Sequence, residues 1–306
     1  MDTKQIEYIL KIAEENNITK AAEKLFITQS ALNQQLLKLE KELGTPLFHR
    51  SRTNWRLTEA GEIYIEGAKA ALQIKNTTYN RIYDVVSARK GHLTIGLTPG
   101  RGLRMFTAIY PELHRSFPNL DVRPIEMRVR AQQDAIAKGE IDVGLMTLAR
   151  RDQTSDTYYP LKQEELVLII PAGHPLAEKA APSGEPLATL DLTELRYEPF
   201  VLMDKTSTLR SSCDLLFEKA GFAPNILFET NNTSGIAAMV QSTLCCGIIP
   251  RYYTLGLTEG VSCFSLPERP SWEIVISCQK NAYLNSGARE FIRLAREYWE
   301  NSAPLF

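Results

Sequence analysis

An unbroken helical pattern about thirty residues long divides this chain into two unlike parts. It begins at Thr58, continues without a proline to about residue 88, and ends at Arg89-Lys90-Gly91. A helix of that length spans roughly 45 Å. Side chains recur in it at alternating steps of three and four residues, all apolar but one: Ile65, Ala68, Leu72, Lys75, Tyr79, Ile82 and Val86.

This spacing is typical of a coiled-coil seam. The alternative is a long helix that packs on its own chain. A helix this extended, flanked by two domains, more often buries its apolar stripe against a second copy. We therefore expect residues 59–90 to form a homodimer. The expected interface residues are Ile65, Ala68, Leu72, Tyr79, Ile82 and Val86.

Length and composition predict a globular protein of two domains. The chain has 306 residues, of which 44% are hydrophobic and 23% charged, and a domain usually holds roughly 100 to 200 residues. The longest uncharged stretch, 230–250, contains amide and hydroxyl side chains, so we expect no membrane span. The first residues are charged and form no apolar run typical of a secretory signal peptide, which predicts a cytoplasmic location.

Histidine and cysteine placement gives no sign of metal or catalytic chemistry. The five cysteines form no C-x-x-C pair, and the four histidines lie far apart without the H-E-x-x-H spacing that zinc requires. No G-x-S-x-G elbow and no complete phosphate-binding glycine motif occurs. We expect no metal, no cofactor and no enzymatic activity, and we interpret the cysteines as small core side chains.

The net charge of −1 conceals a mild difference between the two parts of the chain. Residues 1–90 hold 14 Lys and Arg against 11 Asp and Glu, and the remainder holds 21 against 25. A difference this small does not establish binding to a polyanion, because such binding needs a local patch of positive charge. The motifs have to decide.

Three short helices are predicted before the long one. Apolar residues recur at helical spacing over 5–13, Thr19 is placed to cap a helix over 20–25, and Thr28 to cap a third that ends at Gly44. The expected buried stripe of the third helix consists of Ala31, Leu32, Leu36, Leu39 and Leu43.

The other face of the third helix is rich in amides. Amide side chains donate and accept hydrogen bonds at once, as base edges in a major groove require, and hydroxyls or lysines suit phosphates. The alternative is a solvated face that happens to carry amides. After this helix, residues 46–57 predict a small hairpin whose arginines supply a local basic patch. The expected DNA-binding residues are Thr28, Gln29, Ser30, Asn33, Gln34, Lys38, Arg50, Arg52 and Arg56.

Over about sixty residues the chain resembles the amino-terminal signature of the LysR-type transcriptional regulators. The matching positions are Ala21-Ala22, Leu25, Thr28-Gln29-Ser30-Ala31, Gln34, Leu39-Glu40, Leu43-Gly44, Leu47-Phe48, Arg50, Leu57-Thr58 and Ala60-Gly61. Asn33 departs from the pattern, since the family commonly has serine there.

The resemblance implies a multi-domain protein. Residues 1–58 would form a mainly α-helical winged helix-turn-helix domain, residues 59–90 a dimerising linker helix, and residues 91–306 an effector-binding domain. That last domain would be a two-lobed α/β structure similar to periplasmic binding proteins. The resemblance also implies assembly as a homotetramer.

After Gly91, strand and helix patterns alternate, which predicts α/β lobes with a largely parallel sheet. We expect lobe 1 over about 91–163 and 268–306, and lobe 2 over about 164–267. The chain would cross between the lobes near 161–165 and 266–270.

A ligand of such sheets sits off the carboxyl ends of the strands, where helix amino termini favour anions. The expected effector-binding residues are Thr98, Pro99, Gly100, Arg101, Arg128, Arg130, Thr147, Thr206, Ser207 and Asn231. Their arginines indicate a carboxylate or another small anion. The alternative for Arg128 and Arg130 is that they are solvated or pair with Glu126 or Asp134.

Three classes of protein remain open at this stage. The leading hypothesis is a sequence-specific regulator that binds double-stranded DNA and whose small-molecule effector alters the subunit arrangement, and with it DNA bending or contact with RNA polymerase. The second is a solute-binding receptor, disfavoured by the missing signal sequence and the extra ninety residues. The third is a two-lobed α/β enzyme, disfavoured by the lack of a recognisable site.

Overall fold

The computed structural model describes residues 2–51, 55–86, 89–182, 184–257 and 259–302. The chain forms two compact units, each with its own core. One consists of Met1–Gly91 with Lys138–Glu140, and the other of His92–Ala137 with Ile141–Phe306.

The first unit is mainly helical and contains a two-stranded hairpin. Its elements are α1 (Thr3–Glu15), α2 (Ile18–Lys24), α3 (Gln29–Leu43), β1 (Phe48–His49), β2 (Arg56–Leu57) and α4 (Glu59–Val85). The Thr28 and Thr58 side chains cap α3 and α4, and Gly44 ends α3 in a left-handed conformation at φ 71°. The cap expected at Thr19 is wrong, because the Asn17 side chain accepts from the backbone of Thr19 and Lys20 and so starts α2 earlier.

The core of this unit joins α1, α2, α3 and the first part of α4. Ile9, Ile12, Leu32 and Leu36 are fully buried, and Ala21 lets the helices approach closely. The buried stripe of α3 is narrower than predicted. Leu32, Leu36 and Leu39 are buried, whereas Ala31 and Leu43 are exposed.

The apolar stripe of α4 divides into a buried part and an exposed part. Ile65 and Ala68 lie in the core of the helical unit and Leu72 packs against it. This corrects the predicted interface, because Ile65 and Ala68 already have partners within their own chain. Farther along α4 the large apolar side chains are exposed, namely Ile74, Tyr79, Ile82, Val85 and Val86.

The second unit is built from strands and helices in alternation. Its strands are β3 (Lys90–Leu97), β4 (Asn119–Glu126), β5 (Val143–Leu148), β6 (Thr157–Pro171), β7 (Pro199–Met203), β8 (Asn225–Thr230), β9 (Gly247–Pro250), β10 (Val261–Ser265) and β11 (Ser271–Cys278). Its α-helices are α5 (Arg101–Ser116), α6 (Val129–Ala137), α7 (Thr208–Lys219), α8 (Thr233–Gln241) and α9 (Ser286–Glu300).

The sheets are mixed and not largely parallel as predicted. The strand order of the larger sheet is β10-β6-β11-β5-β3-β4, with β9 also paired to β6. β3 and β5 are parallel, as are β7 and β8, but β11 runs antiparallel to both β5 and β6. β9 and β10 also run antiparallel to β6.

Strand β6 belongs to both lobes. Its residues 157–165 pair with β11, and residues 166–171 pair with β9 and β10. The partners change between Glu165 and Leu166. Phe291 and Trp299 lie in the core on the β11 side of this change, and Phe200 and Phe264 in the core on the other. Among the described residues, no helix is both long enough and apolar enough to cross a membrane.

Candidate functional site

The outer face of α3 is open to solvent. Gln29, Ser30, Gln34 and Lys38 are exposed, and Asn33 is half-buried. The predicted amide face therefore points away from the core.

Hydrogen bonds hold the start of this face. Thr28 Oγ1 accepts from the Ala31 backbone N–H at 3.2 Å and lies 3.2 Å from Ser30 Oγ. The Thr19 hydroxyl donates to Gln29 Oε1 at 3.2 Å. The amide nitrogen of Gln29 keeps its donor capacity, so α2 orients a side chain of α3 without covering it.

The hairpin beside α3 carries less free positive charge than its sequence indicates. The Arg50 guanidinium binds the Glu40 carboxylate of α3 and lies 5.5 Å from the centre of the Trp55 ring. Its charge is therefore largely offset within the protein. Arg56 is exposed. Arg52 lies outside the described residues.

Phe26 is an exposed aromatic residue that sequence reasoning missed. It lies between α2 and α3, with 95% of its surface exposed and a left-handed backbone at φ 55°. A large apolar side chain in this conformation is uncommon, and such residues often mark functional surfaces. The available signal was its position in the turn directly before Thr28, the cap of α3.

The second unit contains a cavity of about 570 Å³ between its two lobes. Volumes of this size suit a small organic ligand. Nine of the ten predicted effector-binding residues line it: Thr98, Pro99, Gly100, Arg101, Arg128, Thr147, Thr206, Ser207 and Asn231. Asp204 and Thr233, which the strand-end rule also selects, line the cavity too, whereas Asn232, Tyr253 and Trp272 are lining residues that the prediction omitted.

Arg130 does not line this cavity, which corrects its predicted role. It lies in a separate depression with Gln133, Asp134, Asp152 and Asp156. Residues two positions apart at a helix start face different directions, so Arg128 and Arg130 diverge. The acidic groups do not make a metal site, because none of the described His, Cys, Asp or Glu side chains form a cluster of three or more that could hold an ion.

Several helices begin at the cavity. The first residues of α5, α6, α7 and α8 or their caps are among its lining, including Gly100, Val129, Ser207 and Asn232. Helix amino termini carry a partial positive charge and backbone N–H donors, which favour negatively charged groups. The cavity therefore has an anion-favouring surface.

Arg101 is held by protein groups. It is only 6% exposed, and its Nη1 lies 2.5 Å from Oε2 of Glu164, which is fully buried. Its Nη2 donates to Thr147 Oγ1 at 2.6 Å. Glu164 also accepts from Trp272 Nε1 at 2.7 Å and from the Tyr252 backbone N–H at 2.9 Å. The Arg101 charge is thus neutralised by Glu164, and the expectation that this arginine is free to bind an anion is wrong.

Arg128 and Asp204 form an ion pair across the cavity. Arg128 Nη1 donates to Asp204 Oδ1 at 3.0 Å and also donates to Thr206 Oγ1. Burial raises the pKa of Asp204, but hydrogen bonds from Thr206 together with the Arg128 charge outweigh burial, so this pKa lies below its ordinary value. The carboxylate is therefore ionised at neutral pH.

Comparison with known proteins identifies both units. Residues 3–62 match the family model described as bacterial regulatory helix-turn-helix protein, lysR family, and residues 87–300 match the LysR substrate binding domain. The chain belongs to the family of LysR-type transcriptional regulators, which confirms the resemblance in its sequence and the predicted fold class. It is a DNA-binding transcriptional regulator whose carboxy-terminal domain binds an effector that modulates its activity.

Individual relatives cover nearly the whole chain. The uncharacterised HTH-type transcriptional regulator YcgK of Bacillus subtilis (strain 168) is 30% identical, over 97% of this chain and 94% of its own. The Hca operon transcriptional activator HcaR of Escherichia coli (strain K12) is 26% identical, over 97% and 98%.

Solved structures share the fold. A full-length OxyR variant from Pseudomonas aeruginosa aligns with a TM-score of 0.68 at 22% identity, covering 98% of this chain and 95% of that one. CbnR, a LysR family transcriptional regulator, aligns with a TM-score of 0.65 at 20% identity, covering 97% and 99%. At these identities the likeness concerns the fold alone.

Proposed function

We propose that residues 1–58 read a DNA duplex with the outer face of α3. The exposed amide groups of Gln29 and Gln34 carry this proposal, because they can both donate to and accept from base edges in a major groove. The hydroxyls of Thr28 and Ser30 and the ammonium of Lys38 border them and suit phosphates, and Asn33 adds a further amide. CbnR, which shares the fold, has been solved in complex with its target DNA, and this supports DNA as the partner of the chain.

The exposed part of α4 would hold two copies of the chain together. Tyr79, Ile82 and Val86 leave apolar surface in water, and residues 59–90 would bury it against a twin helix. Pairing would set two reading helices one turn of DNA, or a multiple of it, apart. We extend the proposal to a homotetramer that works in the cytoplasm, contacts RNA polymerase and catalyses no reaction.

Residues 91–306 would sense a small molecule in the cavity between the lobes. The helix amino termini and the hydroxyls of Thr98, Thr147 and Ser207 offer it polar contacts. A ligand shifts the arrangement of subunits only when it binds two arrangements with different affinity. In this proposal the cavity binds the effector and α3 contacts the DNA.

DNA binding by the full chain tests the proposal. Duplexes selected by the protein from a random-sequence pool are compared with an unselected duplex by fluorescence anisotropy. Gln34→Ala should weaken binding of the selected duplex by about tenfold and that of the unselected duplex by less than about twofold, because a lost base contact costs specificity. Lys38→Ala should weaken binding of both duplexes. It should also reduce the slope of log affinity against log salt concentration by about one, because one phosphate contact is lost.

Gln163→Ala is the matched control. This amide is exposed on the second unit, and its removal should leave both affinities unchanged. Binding that does not respond to salt, or an equal loss on both duplexes in Gln34→Ala, would contradict the proposed reading surface.

A further inference from the structure

Two opposite charges meet in the cavity from different elements. Arg128 precedes α6, Asp204 follows β7, and Arg128 Nη1 lies 3.0 Å from both carboxylate oxygens of Asp204. Their side chains are 46% and 26% exposed, so both are accessible from the cavity. The pair is formed between residues 76 positions apart, at the two walls that a ligand must lie between.

The rest of the lining is electrically balanced. Among the described lining residues the charged ones are Arg101, Arg128 and Asp204. Glu164, directly behind the wall, offsets Arg101. One cation and one anion, Arg128 and Asp204, therefore remain for a ligand to engage.

Asp204 also has unused capacity to accept a hydrogen bond. Its Oδ2 receives no well-aligned hydrogen bond from a described group, although Arg128 Nη1 lies 3.0 Å away. A ligand that displaced Arg128 and brought an N–H donor to this oxygen would supply that hydrogen bond.

From this geometry we infer that the effector is a zwitterion of the α-amino acid type, an inference that rests on the proposed effector-binding role of the cavity. Its carboxylate would bind Arg128 and the hydroxyls and helix amino termini nearby, and its ammonium would bind Asp204. The ligand would replace one internal ion pair by two ion pairs to itself.

Singly charged ligands fit this pair of charges less well. A simple carboxylate would take Arg128 and leave Asp204 unpaired in a partly desolvated cavity, and a simple amine would do the same to Arg128. The lining also includes Val129, Met203 and Leu209, which can contact an apolar side chain of the ligand. The cavity volume of about 570 Å³ accommodates any of the twenty amino acids.

The test uses the full chain and defined probes. The twenty common L-amino acids are screened by thermal denaturation, and the best ligand is measured by isothermal titration calorimetry. It is then compared with two analogues of the same side chain, one in which hydrogen replaces the ammonium and one in which an amide replaces the carboxylate. Each analogue should bind at least about tenfold more weakly, because each loses a charge-assisted hydrogen bond.

Variants assign the two charges. Asp204→Asn should weaken binding of the amino acid by about tenfold or more and change the affinity for the analogue without ammonium by less than about threefold. Arg128→Gln should weaken binding of the amino acid while changing the affinity for the amide analogue little. Arg130→Gln is the control, because Arg130 lies in the other depression, and it should leave the affinity for the amino acid unchanged.

Two results would overturn the inference. One is an analogue without ammonium that binds as tightly as the amino acid, and the other is a screen in which no amino acid stabilises the chain. An analogue without ammonium that binds as tightly would leave the cavity as the effector site and refute only the zwitterionic ligand, and neither result touches the DNA measurements with Gln34→Ala.

Discussion

Glu40 connects α3 to the hairpin that follows it. One carboxylate oxygen accepts from the Leu47 backbone N–H at 2.8 Å, and the other binds the Arg50 guanidinium. Glu40 is only 8% exposed, so its carboxylate is largely shielded from solvent. The hairpin is therefore held at a fixed position beside α3.

Glu40→Ala should lower the free energy of unfolding of the helical unit by about 2 kcal/mol, because it leaves the Leu47 N–H without its acceptor. Arg50→Ala should cost about 1 kcal/mol or less, since Arg50 is partly exposed and the Leu47 bond survives. Urea denaturation followed by circular dichroism measures both. A larger loss in Arg50→Ala would show that the ion pair and not the backbone bond dominates.

Two glycines of α4 should respond to alanine in opposite directions. A Cβ on Gly61 would lie 2.1 Å from the Leu47 carbonyl oxygen, whereas a Cβ on Gly67 would meet nothing within 4 Å. Gly61→Ala should destabilise the unit by about 1–3 kcal/mol through overpacking. Gly67→Ala should stabilise it by up to about 1 kcal/mol through better helix propensity. Thermal denaturation of the two variants compares them, and equal shifts would contradict the close contact at Gly61.

The two parts of the α4 stripe should separate folding from pairing. Ile65→Ala should reduce the free energy of unfolding by about 2–4 kcal/mol, because Ile65 is 8% exposed in the core. Ile82→Ala should leave the fold intact, since Ile82 is 52% exposed, and should weaken self-association by about tenfold. Analytical ultracentrifugation measures the association. Unchanged dimer dissociation in Ile82→Ala would place the interface elsewhere.

Glu164→Leu should be severely destabilising, by about 3–5 kcal/mol, because it leaves the Arg101 charge buried and uncompensated. The double variant Arg101→Met with Glu164→Leu should recover part of this loss, since neither charge remains, although Trp272 Nε1 and the Tyr252 N–H still lack their acceptor. Chemical denaturation of the single and double variants gives the coupling between the two positions. A double variant as unstable as the single one would mean that packing and not charge sets the loss.

The buried thiols should resist alkylation in the folded protein. Burial raises the pKa of Cys213 and of Cys246 to about 12, so at pH 8 only about one thiol in ten thousand is ionised. Iodoacetamide should leave both residues unmodified in the native chain over hours. All five cysteines should react in urea, which mass spectrometry counts. Rapid native labelling of Cys213 would contradict its position in the core.

Local signals made the ends of several helices predictable. Thr28, Gly44 and Thr58 act through hydrogen bonds or backbone angles within a few residues of themselves, so a single sequence is enough to read them. Asn17 caps α2 by the side-chain hydrogen bonding that was expected of Thr19, so the predicted start of α2 lay two residues too late.

The strand directions depended on distant partners. Most strands could be recognised from their own apolar residues, but only residues 165–170 of β6 were expected as a strand, and β11 pairs with β6 more than a hundred positions earlier in the chain. No local pattern states whether such a pair is parallel or antiparallel. The assumption of repeated helical crossovers therefore predicted too parallel a sheet.

The cavity positions followed from a general rule about strand ends, but the state of each arginine did not. Arg101 is neutralised by Glu164, 63 positions away, and Arg128 is paired with Asp204, 76 positions away. Such partners become visible only when the fold brings them together. The same limit applies to Ile65, which belongs to the same apolar repeat as Ile82 but is buried by its neighbours in α1 to α3.

Strand β6 runs through both lobes without interruption. Any change in the angle between them must therefore flex one continuous ribbon near Glu164 and Glu165, whose carboxylates are tied to Arg101 and Arg269. A change in the angle between the lobes would therefore act directly on the Glu164–Arg101 and Glu165–Arg269 ion pairs, which links the geometry of the cavity wall to the position of the lobes.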